Sequence, residues 1–62
     1  MKYIAYDKNG IARVWGEDNN SYIAELECEI ALRERAIRKY KQTGFPEDIT
    51  TYKIKGVAYD IL

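Results

Sequence analysis

The sequence has 62 residues, and its ten basic and ten acidic side chains cancel. That length holds one domain, residues 1–62, with no second core, and zero net charge supplies no field drawing it to nucleic acid or an anionic membrane. Apolar residues make up 47% of the chain, too many for disorder, yet no apolar run is long enough to span a bilayer.

The opening residues, Met1 to Asp7, meet a charge too soon for a signal-peptide core. Cys28 is the only cysteine and histidine is absent. An intramolecular disulfide is therefore impossible, which points to a reducing, cytoplasmic compartment.

In chain order, residues 2–7 and 11–15 form two short apolar and aromatic runs, expected as strands. Between them stands Asp7-Lys8-Asn9-Gly10. Asn9-Gly10 suits a tight two-residue turn, because both tolerate positive φ. Asp7 suits instead the first position of a type I turn, with Gly10 in a bulge. Both alternatives give a hairpin. Gly16 to Ser21 breaks the strand and offers several N-cap residues.

From Tyr22 the apolar period becomes helical. Ile23, Leu26, Ile30, Ile37 and Tyr40 share one face, with Tyr22 and Ala36 at its edge, and this stripe is the expected core face. Arg33 sits inside it, where its methylenes can cover apolar surface. Glu25, Glu27 and Glu29 come early and Arg38, Lys39 and Lys41 late, the order that the helix dipole favours. Glu29 with Arg33, and Glu34 with Arg38, have ion-pair spacing. Gly44 fits the C-terminal cap, Phe45 is expected to fold back on the last turn, and Pro46 prevents continuation. The helix is expected over residues 20–43.

Residues 50–61 are rich in β-branched and aromatic side chains. Tyr52 and Ile54 have one parity, and Val57, Tyr59 and Ile61 the other, so one long strand with a bulge at Gly56 is expected, with two short strands as the alternative. The fold class is α+β, a two-layer β-β-α-β arrangement. One long amphipathic helix covers one face of a three-stranded antiparallel sheet of order 2-1-3.

One helix leaves the second sheet face uncovered, and neither face of the first strand is polar. If the helix packs on Tyr3, Ala5, Ala12 and Val14, the open face holds Ile4, Tyr6 and Trp15, with Tyr59 beside them. If it packs the other way the roles exchange, and Ile4, Tyr6 and Trp15 are the bulkier core. The open face is the expected contact surface, for a second copy of this chain or for another protein. The alternative is a nucleic-acid-binding or regulatory accessory domain, with phosphate contacts from Arg35, Arg38 and Lys39. The wheel places Arg35 and Lys39 away from the core.

No catalytic residue, metal site or cofactor site is expected. Asp7, Glu25 and Asp60 form a strand-Asp, helix-Glu, strand-Asp set that resembles the metal-binding carboxylates of ribonuclease H-like nucleases. That resemblance implies two divalent metals against a phosphodiester. It covers three residues, in a chain about half the length that fold needs and without strands on both sides of the helix. The hairpin-then-helix order is also similar to the opening of small antitoxin domains of the HicB kind, whose characteristic turn sequence is absent here. Cys28 falls on the back of the helix between Glu27 and Glu29, acids that raise a thiol pKa.

Overall fold

A computed structural model of the chain describes residues 1–57. Strands β1 (Lys2–Tyr6) and β2 (Ala12–Glu17) form a hairpin, followed by helix α1 (Ser21–Thr43). A 3-10 turn (Ile49–Thr51) then leads into strand β3 (Lys53–Val57). The sheet order is β2-β1-β3, and both pairings are antiparallel. This is the α+β sheet order expected from the sequence, with the charge-free stretch of β1 in the centre.

The hairpin resolves to a type I turn with a glycine bulge. Gly10 donates its backbone N–H to the Asp7 carbonyl at 2.9 Å, and Asp7 and Ile11 close the ladder at 2.9 Å. Gly10 alone takes positive φ, 79°, which Asn9 would also need in a type I′ turn. Asp7 Oδ1 accepts from the amides of Asn9 and Ile11 at 2.9 and 3.0 Å, holding the loop shut. Register then shifts by one residue between Ala5 and Tyr6, where Val14 and Ala12 are the partners and Arg13 is the extra residue.

Gly16 does not end its strand. It pairs with Tyr3, is buried, and β2 runs on to Glu17. A Cβ there would collide with the backbone of Cys28 and lie 2.5 Å from the Ala24 carbonyl oxygen. The missing side chain lets α1 settle backbone to backbone on β2.

That close approach decides which helix face packs. The buried residues of α1 are Ala24, Cys28 and Leu32, not the expected stripe of Ile23, Leu26, Ile30, Ile37 and Tyr40. Cys28, placed on the back of the helix by the wheel, is completely buried in a core with Ala5 and Leu32. The sheet supplies bulk from Tyr3, Val14 and Ile54, joined by Ile49 from the 3-10 turn and by Tyr52 just after it. Large side chains from both layers cannot share one close-packed gap. Here the helix contributes the small ones.

Asn20 caps α1, its Oδ1 accepting from the amides of Tyr22 and Ile23 at 2.9 and 3.1 Å. Gly44, at φ 75°, ends it by donating to the Tyr40 carbonyl at 2.8 Å. Phe45 does not fold back as expected; it is 76% exposed.

The expected bulge at Gly56 is absent as well. Gly56 pairs with Tyr3 in unbroken register, and a Cβ there would press on the Tyr3 ring at 3.1 Å. Gly56 makes room for that ring, and Val57 keeps its own parity on the outer face. The remainder of the expected strand, residues 58–61, lies outside the described residues.

Candidate interaction surfaces

With α1 turned this way, its aliphatic stripe faces outward. Ile23, Leu26, Ile30, Ile37 and Tyr40 are 36–55% exposed, with Tyr22 more so. At about 100° per residue the centre of this stripe lies roughly 180° from the packed face. Its positions, with Arg33, advance by three, four, three, four and three residues, which keeps them in one line along the axis.

Helix length adds to the exposure. Twenty-three residues span about 34 Å at ~1.5 Å each. Strands of five or six residues span roughly 17–20 Å. The C-terminal turns of α1 therefore overhang the sheet, and the molecule measures 44 Å along its longest axis. There Ile37 and Tyr40 border a shallow apolar hollow closed by Ala36 and Pro46.

The open sheet face is different in character. The helix packs on Tyr3, Ala5 and Val14, so the sheet brings Ile4, Tyr6 and Trp15 together outside. Trp15 pairs with Ile4, which pairs in turn with Lys55, and Tyr6 pairs with Lys53. Two ammonium groups already sit over the rings. Lys2 Nζ lies 5.2 Å from the Trp15 centroid, and Lys55 Nζ lies 5.8 Å from that of Tyr6. Tyr59, the fourth residue expected there, lies outside the described residues.

The basic residues of α1 are divided. Arg35 does not point away from the core; it is half-buried on the sheet side and donates to the Tyr52 hydroxyl at 3.4 Å. Tyr52 in turn donates to Glu47 at 3.0 Å. Lys39 Nζ binds the other Glu47 oxygen at 3.0 Å. This network fastens the loop after the helix back onto it. Lys39 and Tyr52 hold the Glu47 carboxyl below its ordinary value, while the Tyr52 hydroxyl raises the Arg35 guanidinium. Arg38 makes no ion pair among the described residues.

The Asp7 carboxyl is likewise committed. The Ile11 amide and the Arg13 guanidinium, at 2.8 Å, push its pKa below 3.8. The Asp48 carboxyl is lowered by the hydroxyl and amide of Thr50 at the start of the 3-10 turn. All three carboxyls have folded pKa values below their ordinary ones. Their contribution to stability is thus present above the ordinary carboxylate range and lost as pH falls through the folded values. The urea midpoint should hold level above about pH 5 and decline below it. An Asp7→Asn, Asp48→Asn double variant should show a shallower decline. A wild-type midpoint unchanged down to about pH 3 would contradict this assignment.

Of the three acids that resemble a nuclease site, Asp7 is spent on the turn and on Arg13, and Asp60 lies outside the described residues. Among the described residues no three His, Cys, Asp or Glu side chains are grouped to hold a metal ion. Burial pushes the Cys28 thiol pKa up, with Glu29 and Glu25 adding to it, which keeps the sulfur protonated. No described helix is long and apolar enough to cross a membrane. Comparison with protein-family models, with curated proteins and with solved structures finds no match.

Proposed function

We propose that this chain is a small non-catalytic protein-interaction module that docks through the outer stripe of α1. The observation that carries it is the inversion of the helix. Ile23, Leu26, Ile30 and Ile37 lie outside while Ala24 and Cys28 lie inside. Large aliphatic side chains normally occupy the interior, and a contiguous exposed set of them marks a contact surface.

The sheet face of Ile4, Tyr6 and Trp15 is the weaker candidate, because lysines already cover its rings. Phosphate contacts by Arg35, Arg38 and Lys39 are weaker still, since Glu47 engages two of the three. Among the described residues, the Asp7 and Glu47 carboxyls are taken up in ion pairs, Asp48 in its turn and the Cys28 thiol in the core.

An interaction stripe makes little contribution to the chain's own fold. The Ile30→Gln, Ile37→Gln double variant exchanges apolar for polar without losing much helix propensity. At high dilution its thermal melt, followed by far-UV circular dichroism, should match wild type within about 0.5 kcal/mol per site. A loss of roughly 2 kcal/mol or more per site would show that the stripe serves the monomer's own core, and the reading would fall.

A further inference from the structure

We infer that the occupant of the α1 stripe is a second copy of this chain, its helix lying antiparallel to the first. This rests on the stripe being a docking surface and adds the partner and its orientation. The first argument is spacing. Ile23, Leu26, Ile30, Arg33, Ile37 and Tyr40 alternate by three and four residues, the repeat that lets two α-helices interlock side chains along a shared seam. A partner helix fits such a seam over about 26 Å of axis, most of the length of α1.

The second argument is charge, and it fixes the direction. From Ser21 to Leu32 the helix carries Glu25, Glu27 and Glu29 and no base. From Arg33 to Thr43 it carries Arg33, Arg35, Arg38, Lys39 and Lys41 against one acid, Glu34. A parallel pair would set acids on acids and Arg33 on Arg33. An antiparallel pair sets the acidic half of each helix against the basic half of the other, and opposes the two helix dipoles favourably.

Among the described residues, Glu27, Glu29, Arg33 and Lys41 form no ion pair within the chain. They flank or interrupt the stripe. In the antiparallel register that joins Leu26 to the second copy's Ile37, Ile23 meets Tyr40 and Ile30 meets the stem of Arg33. Each Arg33 head then lies beside Glu29 of the other copy. The apolar pairing and this charge contact agree on one register. The pair forms four layers, sheet, helix, helix, sheet, with both lysine-covered sheet faces outward.

Two measurements test this. Sedimentation equilibrium from micromolar to millimolar concentration should show twice the 7.2 kDa chain mass at the upper end. Ile30→Gln should weaken association by about tenfold or more, roughly 1.4 kcal/mol. Orientation is read by mixing two single variants, Leu26→Cys and Ile37→Cys, under mild oxidation, with the native Cys28 enclosed in the core. The mixture should yield mainly the mixed disulfide, and each variant alone little.

Self-linked Leu26→Cys and Ile37→Cys would overturn the antiparallel direction while leaving the stripe as a docking surface. A dimer indifferent to Ile30→Gln would place the contact elsewhere. A chain monomeric throughout would overturn self-pairing, and the high-dilution melt of the glutamine variants separates that outcome from failure of the docking reading itself.

Discussion

Replacing Gly16 with alanine should strongly destabilise the native packing of this protein. The added methyl group would collide with the backbone of Cys28 and stand 2.5 Å from the Ala24 carbonyl oxygen. Neither neighbour is a flexible side-chain tip that can swing aside. To accept the methyl, the whole helix must lift off β2, and the contacts of Ala24, Cys28 and Leu32 go with it. Overpacking against movable side chains costs about 1–3 kcal/mol, so a backbone collision across the main interface should cost at least ~3 kcal/mol. That is between a third and all of the stability of a chain of this size, about 3–9 kcal/mol. In a thermal melt the loss corresponds to a midpoint lower by roughly 12–24 °C. Gly56→Ala is the useful contrast, since its new methyl group meets the Tyr3 ring at 3.1 Å, a side chain with room to tilt. A Gly16→Ala protein melting within a few degrees of wild type would mean that helix and sheet are not held this close.

The parts of this fold that are local could be read from the sequence. Asp7 and Gly10 dictate their turn by hydrogen-bonding capacity and φ freedom, and Asn20 and Gly44 cap α1 for the same reasons. The sheet order follows because a helix returning the chain parallel to β2 can place β3 antiparallel against β1. The packing face of α1 is a different kind of information. An apolar stripe records that water is excluded from one side of a helix without saying what excludes it, a sheet or another molecule. Summing hydrophobicity around the wheel favours the larger side chains, so Ile23, Leu26, Ile30 and Ile37 outweigh Ala24, Cys28 and Leu32. The signal that discriminates is size. Ala24 and Cys28 are four residues apart, both small, and Gly16 stands on the strand that they cross. Arg33 in the middle of the stripe is a second signal, since a guanidinium fits a seam flanked by acids better than a sheet-helix core. The reading of Arg35 failed for the same reason: once the helix face is inverted, Arg35 turns toward Tyr52. The candidate sheet surface was legible as residues, Ile4, Tyr6 and Trp15, but not the lysines laid across it, which depend on cross-strand register.

The inverted helix is most sharply exposed at Leu32. On the wheel it belongs to the back of the helix, where truncation to alanine would change stability by no more than about 0.5 kcal/mol. In the structure it is 5% exposed and belongs to the buried cluster that joins helix to sheet among the described residues. Leu32→Ala should therefore cost about 2–5 kcal/mol, the lost transfer energy plus the cavity left behind. The slightly better helix propensity of alanine offsets only a few tenths of that. Tyr3, Val14, Ile49, Tyr52 and Ile54 pack against the cluster of Ala5, Cys28 and Leu32, and how far they settle into the gap sets where in that range the cost falls. Concentration separates this effect from that of the stripe. Leu32 acts inside one chain, so its penalty in urea denaturation should persist unchanged from dilute to concentrated protein. Substitutions at Ile30 or Ile37 act between chains and should matter only where copies associate. If Ile30→Ala proved the more damaging at high dilution and Leu32→Ala nearly silent, the helix would pack by its stripe after all. The small-residue contact with Gly16 would then have no part in holding the fold together.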